Sequence, residues 1–308
     1  MRVAVLFIDG VGVGANNPDV NPLARGEFLL SQFDSGDGSA LPAGGLRHDV
    51  DTTFGIEGRP QSASNQAAIL TGTAAPISVG AHVVGYPTAA LKKILLNDSV
   101  AVRLRAAGRQ VTFANGFPLS FLQAVKMPHR PSAEPLFDLP PAWARKVKPS
   151  AFMLGLGGVD APLRTFGDVL AGTAITNDIT GLAAARRFRE VPQRTPEEAA
   201  MIFWQLAEDV TYFEHSQADD AGHARDWASA MKSLQNFDAF AREVLRLAPA
   251  DAQVLICSDH GNVEDLSTRN HTRNKVSVLT FGAELNALGP MERLDSVGTR
   301  VLQLMEAA

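Results

Sequence analysis

Short apolar runs that end in charged residues constrain the fold of this chain most strongly. The run 3–8 is uninterrupted and meets Asp9, and the run 254–257 is followed, after one serine, by Asp259 and His260. Strands that are buried on both faces of a parallel sheet have this continuous apolar pattern. Helical patterns alternate with such runs along the chain. We therefore predict an α/β fold, a three-layer sandwich with a mostly parallel central sheet.

The remaining elements follow from periodicity and from residues that begin or end helices. Apolar residues recur every three or four positions over 223–246, which predicts one long amphipathic helix. Thr195, followed by proline and two acidic residues, indicates the start of another helix. Further strands are predicted at 111–114, 210–213 and 276–281, and further helices at 62–70, 90–107 and 296–305.

The pattern weakens over 118–192, where prolines cluster. We predict a small inserted cap or lid there. The metal-binding catalytic core would then consist of residues 1–117 and 193–308.

Composition excludes several classes of partner. The net charge of −5 and the isoelectric point near 5.8 argue against nucleic acid or an anionic membrane, because both attract basic surfaces. No apolar run approaches the ~18 residues of a membrane span. The first carboxylate, Asp9, comes too early for a secretory signal, and Cys257 is the single cysteine. We predict a cytoplasmic protein.

Seven side chains at predicted strand ends and helix starts can form a site for two metal ions. The carboxyl ends of parallel strands meet at one rim of a sheet, where ligands usually bind. Three aspartates and a serine alkoxide balance two divalent cations, and neutral histidines complete the coordination. Such mixed ligands suit Zn²⁺ or Mn²⁺ better than Ca²⁺ or Mg²⁺. The seven residues are Asp9, Ser62, Asp219, His223, Asp259, His260 and His271.

Each of these residues also has an ordinary structural explanation. Asp9 alone fits a turn after a strand, Ser62 alone fits a helix N-cap, and Asp219 alone fits the first turn of a helix. Asp259 and His260 serve one ion together or one ion each, and their spacing does not decide between these arrangements. The joint occurrence of all seven in this order favours the site.

Together these segments resemble the alkaline phosphatase superfamily, and most closely its branch of cofactor-independent phosphoglycerate mutases and phosphopentomutases. The matching segments are Phe7-Ile8-Asp9-Gly10, Ser62 through Thr71-Gly72, Asp219-x3-His223, Ser258-Asp259-His260-Gly261-Asn262 and His271-Thr272. The resemblance implies a phosphorylated serine nucleophile, Ser62, between two ions. It assigns one ion to Asp219, His223 and His271, and the other to Asp9, Asp259, His260 and the Ser62 oxygen.

The surroundings of Ser62 limit the reaction. Ser62 is followed by neither the proline nor the arginine of the sulfatase motif, and Ser64 is a rival nucleophile. Candidate substrate contacts, each with surface charge or structural bonding as the alternative, are Asn65, Gln66, Arg59, His215 and Arg273.

We predict a phosphomonoesterase acting on a small phosphate ester, because a small lid excludes water poorly. The alternatives are a phosphomutase of the phosphoglycerate or phosphopentose type, a phosphodiesterase, and a metal-binding protein without catalysis.

Overall fold

The computed structural model describes residues 1–133 and 146–307 of the 308-residue chain. Its central sheet has six strands in the order β2-β8-β7-β1-β6-β3, and β4 and β5 form a separate two-stranded sheet. The strands are β1 Arg2–Ile8, β2 Gly45–Val50, β3 Val111–Phe113, β4 Gly116–Phe117, β5 Arg164–Thr165, β6 Val210–His215, β7 Ala252–Cys257 and β8 Val276–Phe281.

The central sheet is mostly parallel, as predicted. Strand β1 pairs in parallel with both β6 and β7, and β3 pairs in parallel with β6. Strand β8 runs antiparallel to β7 and to β2. In the register of β1, Val5 lies opposite Tyr212 on one side and Leu255 on the other. Because β1 is flanked on both sides and covered on both faces, residues 3–8 are all buried, and this accounts for their uninterrupted apolar sequence.

Helices cover both faces of the sheet. Val5 and Phe7 point into one hydrophobic core, and Leu6 and Ile8 point into the other, as the alternation of a strand requires. The helices are α1 Ser62–Thr71, α2 Ala75–Val79, α3 Ala89–Asp98, α4 Val100–Ala106, α5 Leu119–Ala124, α6 Ala151–Leu156, α7 Phe166–Leu170, α8 Leu182–Ala185, α9 Pro196–Gln205, α10 Gln217–Ala224, α11 Trp227–Arg246, α12 Ala283–Ala287 and α13 Ser296–Ala307. The three-layer α/β fold predicted from the sequence is confirmed.

The predicted helix 223–246 is wrong at its start. The chain forms two helices, α10 and α11, separated by Arg225, whose φ of +56° is left-handed. Asp226 then caps α11 by accepting hydrogen bonds from the backbone N–H groups of Ala228 and Ser229. The predicted helix 90–107 is divided in the same way, because the Ser99 hydroxyl caps α4. In both places apolar periodicity continues across a break that the capping side chain creates.

Residues 118–192, predicted to form the cap, contain α5 to α8 and β5 in their described part. Within them, α6 packs against the main core, where Phe152 lies with its ring centroid 4.6 Å from that of Phe7. Residues 134–145 of this segment lie outside the described residues. The division into a core and a cap stays a prediction.

None of the helices in the described ranges has the length and hydrophobicity needed to cross a bilayer.

Candidate metal centre

All the predicted ligands except Ser62 come from segments that follow three adjacent parallel strands. Asp9 comes directly after β1, Asp259 comes two residues after β7, and Asp219 lies in α10, which follows β6. Since β7, β1 and β6 are neighbours in the sheet, their carboxyl ends meet at one edge. Ser62 opens α1, and His271 lies in the segment between β7 and β8. The structure therefore brings these distant segments together.

One set of side chains consists of Asp219, His223 and His271. The Asp219 Oδ2 atom lies 3.2 Å from His223 Nε2, and its Oδ1 atom lies 3.5 Å from His271 Nε2. The two Nε2 atoms are 3.1 Å apart. These three side chains converge closely enough to hold one ion.

The second set consists of Asp9, Asp259 and His260, all of them buried. The His260 Nε2 atom lies 3.4 Å from Asp9 Oδ1 and 3.4 Å from Asp259 Oδ2. Ser62 Oγ lies 2.9 Å from the same nitrogen. The hydroxyl of Ser62 therefore lies beside this set.

The two sets are neighbours. The rings of His260 and His271, one from each set, stack with their centroids 3.7 Å apart and an interplanar angle of 19°. Two ions held by these sets would lie close enough to act on a single phosphate group.

The hydrogen bonds of two histidines fit cation binding. His223 Nδ1 lies 2.7 Å from the carbonyl oxygen of Arg269, and His271 Nδ1 lies 2.8 Å from that of Pro60. A carbonyl oxygen only accepts, so each Nδ1 donates to its carbonyl and Nε2 is the ring atom that can bind a cation. The hydrogen bond to Asp219 raises the pKa of His223 to about 9, so His223 Nε2 also carries a proton, which Asp219 accepts. A divalent cation bound by these side chains would displace that proton.

The carboxylates also fit cation binding. Burial raises the pKa of Asp9 well above its ordinary value, and the nearby charges of Asp259 and Asp219 raise it further. Burial and Asp219 raise the pKa of Asp259 to about 6. Burial opposes ionisation of Asp219 too, but its hydrogen bond with His223 and the nearby His260 lower its pKa to about 2. Cations would relieve this repulsion among buried acids.

Gly10 permits the close approach of two predicted ligands. Its φ of +75° is left-handed, and a Cβ atom there would lie 2.7 Å from Asp219 Oδ1. A side chain at this position would push Asp219 away from the loop that carries Asp9. Only glycine fits both the backbone conformation and the space.

Several polar residues that support the ligands were not predicted in this role. The Gln66 amide donates to Asp9 Oδ2 at 3.2 Å and to Asp259 Oδ2 at 3.0 Å. Asn262 donates to Asp219 Oδ1 at 2.6 Å. Asn262 belongs to the segment that follows β7 and lies two residues after His260. This proximity in sequence could have indicated its role.

Glu264 is the other supporting residue, and its side chain is buried. It accepts hydrogen bonds from the backbone of Gly12 and Asn262 and from the side chains of Thr272 and Asn274. It therefore ties together the segments that carry Asp9, His260 and His271. The sequence carries little signal for this role, because a glutamate in a loop usually lies on the surface.

Three of the predicted substrate contacts have most of their polar atoms engaged within the protein. Both amide hydrogens of Asn65 go to carbonyl oxygens, those of Thr52 and Asp259. Gln66 binds the two carboxylates described above. His215 is buried, and its ring nitrogens contact the Asn177 carbonyl and the Ser233 hydroxyl at 2.7 Å each. For His215 these contacts match the structural alternative weighed from the sequence.

Arg59 and Arg273 are exposed near the site. The guanidinium of Arg273 donates to the carbonyl oxygen of Gly58, which immediately precedes Arg59. Both side chains lie in the segments that contribute Ser62 and His271, so both stay candidates for binding substrate.

The rival nucleophile Ser64 is buried and has structural hydrogen bonds. Its hydroxyl lies 3.2 Å from the carbonyl oxygen of Gln61 and accepts from the N–H of Val83 at 3.1 Å. Ser62, in contrast, is half-buried and faces His260. Of the two serines, Ser62 is the one whose hydroxyl contacts a predicted metal ligand, and its role as nucleophile stays a prediction.

Parts of the chain are similar in sequence to known proteins. Residues 194–307 match the family model described as the Metalloenzyme superfamily. The phosphopentomutase of Shewanella woodyi is 27% identical over 146 residues, covering 47% of this chain and 34% of the relative. That of Deinococcus radiodurans is 29% identical over 143 residues, covering 46% of this chain and 35% of the relative. The phosphopentomutase of Actinobacillus succinogenes is 35% identical over 88 residues, covering 28% of this chain and 22% of the relative. The chain thus matches about a third or less of the length of these relatives.

Solved structures show the same fold. The alkaline phosphatase from the Antarctic bacterium TAB5 superposes with a TM-score of 0.56 and 15% identity, over 100% of this chain and 98% of that chain. The cold-active alkaline phosphatase of the psychrophile Shewanella sp. superposes with a TM-score of 0.54 and 12% identity, over 99% of this chain and 100% of that chain. The predicted resemblance to alkaline phosphatase-like metalloenzymes is confirmed.

Proposed function

We propose that this chain transfers the phosphoryl group of a small phosphate ester to Ser62. The match of residues 194–307 to the Metalloenzyme superfamily and the alkaline phosphatase-like fold support this. Water then takes the group from Ser62, so that the overall reaction is hydrolysis of a phosphomonoester. The single observation that carries this proposal is the position of the Ser62 hydroxyl, 2.9 Å from a nitrogen of the Asp9, Asp259 and His260 set.

Two divalent cations would be held by the two ligand sets, and they would supply positive charge that stabilises a serine alkoxide and the leaving oxygen. The protein's own residues hold that arrangement. Gln66 keeps the carboxylates of Asp9 and Asp259 together, and the carbonyls of Arg269 and Pro60 fix the rings of His223 and His271.

The reaction on Ser62 is a balanced exchange of two bonds. An Oγ–phosphorus bond forms and the Ser62 hydroxyl loses its proton, while the ester oxygen–phosphorus bond breaks and the leaving oxygen gains a proton. In the second half, a water oxygen bonds to phosphorus and loses a proton, and the Ser62 oxygen leaves phosphorus and regains a proton. Ser62 opens α1, so the unpaired N–H groups of its first turn favour the negative charge of the transferred group.

A phosphomutase is the second candidate, and the phosphopentomutase relatives favour it. In that reaction the group on Ser62 returns to another hydroxyl of the substrate instead of passing to water. A mutase must exclude water from the phosphoserine. The first step on Ser62 is common to both candidates.

The ligand types and the single cysteine support proposals about the metal ions and about the location of the protein in the cell. The mixture of aspartate and histidine ligands suits Zn²⁺ or Mn²⁺, and we propose one of these at each set. The buried Cys257 can form no disulfide within the chain, in keeping with the cytoplasmic location that we propose.

Assays with protein loaded with Mn²⁺ or Zn²⁺ test the proposal. We expect release of phosphate from an aryl monophosphate, and acid-stable phosphate on a peptide that contains Ser62. Interconversion of pentose 1-phosphate and pentose 5-phosphate without release of phosphate would identify the mutase instead. Turnover of a bis-aryl phosphate in place of the monoester would identify a diesterase. A metal-loaded protein that turns over none of these would contradict catalysis altogether.

A further inference from the structure

A cavity of about 670 Å³ lies along the outer edge of β3, and none of the seven proposed metal-site residues lines it. Its size falls within the range of small-molecule sites, ~300–1,000 Å³. Its charged lining consists of four arginines and two carboxylates, although the chain as a whole is acidic. The six residues are Arg105, Arg109, Arg130, Arg164, Asp160 and Glu208.

Two of these arginines are fixed by the edge strand. Strand β3 pairs only with β6 among the strands of the described residues. Arg105 Nη2 donates to the carbonyl oxygen of Val111 at 3.0 Å, and Arg164 Nη1 donates to that of Phe113 at 2.8 Å. The guanidinium groups are thus held against β3 before any ligand arrives.

The charge of Arg164 is buried among neutral partners. The side chain is 7% exposed, and its other hydrogen bonds go to the Thr173 carbonyl and the Thr112 hydroxyl. Burial and the nearby charge of Arg130 lower the pKa of Arg164 to about 10, and the charges of Asp168 and Glu208 oppose this shift only in part. Arg130 lies 3.5 Å from Asp168. A buried cation beside a second cation is costly, and a further anion at this place would reduce the cost.

Two exposed apolar side chains belong to the cavity lining. Leu96 and Val159 are 49% and 85% exposed, which is unusual for large apolar side chains. A ligand that combines an anionic group with an apolar body would match both the charged and the apolar residues of this lining.

We propose that this cavity is a second anion-binding site, which takes a small phosphorylated molecule with its phosphate on Arg130 and Arg164. Guanidinium groups bind phosphate oxygens through charge-assisted hydrogen bonds. Arg164 donates from Nε and Nη1 to protein oxygens, so its Nη2 group, together with the Arg130 guanidinium, would donate to the phosphate. The apolar part of the ligand lies against Leu96 and Val159. The site is separate from the proposed metal centre and does not depend on the reaction there.

Calorimetric titration of the metal-loaded protein with inorganic phosphate tests the site. Arg130→Met removes a half-buried guanidinium that makes one long ion pair, so the fold should tolerate the change. We expect it to weaken one phosphate site by about tenfold or more. Arg164→Lys, which keeps the charge but loses the planar donors, should weaken the same site. Arg246→Met, which removes an exposed arginine elsewhere, is the control with a matched change of net charge.

A second variant separates the two phosphate sites. His271→Ala should disable phosphate binding at the metal centre and leave the site on β3 intact. Phosphate binding that disappears completely in His271→Ala would overturn the proposal. So would phosphate binding that is the same in Arg130→Met, Arg164→Lys and Arg246→Met. Acetate titrated in the same way should bind the β3 site more weakly than phosphate, and tighter binding of acetate would reassign the site to carboxylates.

Discussion

His223 and His271 face each other through the same ring nitrogen, with their Nε2 atoms 3.1 Å apart and each Nδ1 hydrogen directed at a backbone carbonyl. The hydrogen bond to Asp219 raises the pKa of His223 to about 9, so a proton on its Nε2 occupies the position that a divalent cation would take. The pair is preorganised for a cation, and Asp219 lies beside it to supply negative charge.

Replacing one of these rings should remove one ion. In His271→Ala we expect the metal content measured by mass spectrometry to fall from two ions per chain to one. Activity should fall by about a hundredfold or more, since an ion supplies several kcal/mol of transition-state stabilisation and ~1.4 kcal/mol is tenfold in rate. His129→Ala, which removes a half-buried histidine outside both ligand sets, is the control. Two ions retained in His271→Ala would contradict the ligand assignment.

The two serines at the start of α1 should respond differently. Ser62→Ala should abolish turnover and phosphoserine formation while leaving metal content largely intact, because the carboxylates and imidazoles remain. Ser64→Ala should retain turnover and lose some thermal stability, since it leaves the N–H of Val83 without its partner. Activity that survives in Ser62→Ala and vanishes in Ser64→Ala would reverse the assignment of the nucleophile.

Gly10 should tolerate no side chain. In Gly10→Ala the new Cβ would collide with Asp219 Oδ1, so we expect lost metal affinity in addition to backbone strain of about 1–3 kcal/mol. Gly80→Ala is a matched control, because Gly80 has a similar φ of +69° with open space around it. Chemical unfolding should therefore show a loss of stability in both variants, and metal titration should show weaker binding in Gly10→Ala alone. Equal metal affinities in the two variants would argue against the predicted collision.

Glu264→Gln should loosen the site without removing a ligand. Each oxygen of Glu264 accepts two hydrogen bonds. In glutamine an NH₂ group replaces one of these oxygens, and because it cannot accept, two donors lose their acceptor. We expect a loss of about 1–3 kcal/mol in unfolding free energy for each donor left unsatisfied, together with weaker metal binding. Glu306→Gln, at an exposed position near the end of α13, should change neither quantity. Wild-type stability in Glu264→Gln would show that the buried carboxylate does not hold these segments.

His215 should make stability depend on pH. Burial lowers the pKa of its imidazole from 6.5 to about 4, so the folded protein binds this proton less readily than the unfolded chain does. Its contribution to stability is therefore present above pH 6.5 and is lost as the pH falls towards 4, by about 3 kcal/mol in total. Urea unfolding at pH 7 and pH 5 measures this loss. His215→Gln should show a smaller decrease between these two pH values, and an unchanged decrease would rule out His215 as its source.

The fold and the ligand sets could be predicted because their signals are local in sequence. The run 3–8 is apolar throughout because β1 has strands on both sides and helices on both faces. The residue that follows such a strand emerges at the rim, which identified Asp9. The same reasoning applied to Asp259, which follows β7.

Other features have no local signal. Strand β2, Gly45–Val50, was not predicted because it is a half-polar edge strand, paired with β8 alone among the strands that the structure describes. The break between α10 and α11 was missed because the apolar periodicity continues while the backbone of Arg225 turns left-handed. Glu264 was missed because its structural role depends on hydrogen bonds to residues that are distant in sequence. One of these residues, Gly12, is 252 residues away.

The proposed ligands are spread along the chain, from Asp9 after β1 to His271 between β7 and β8. This order bears on when the protein would bind its ions in the cell. During synthesis, Asp9 leaves the ribosome long before its neighbours in space exist, and neither ligand set is complete until β7 has taken its place beside β1. Metal capture would therefore come late, after β7 has paired with β1 and the segment that carries His271 has been made.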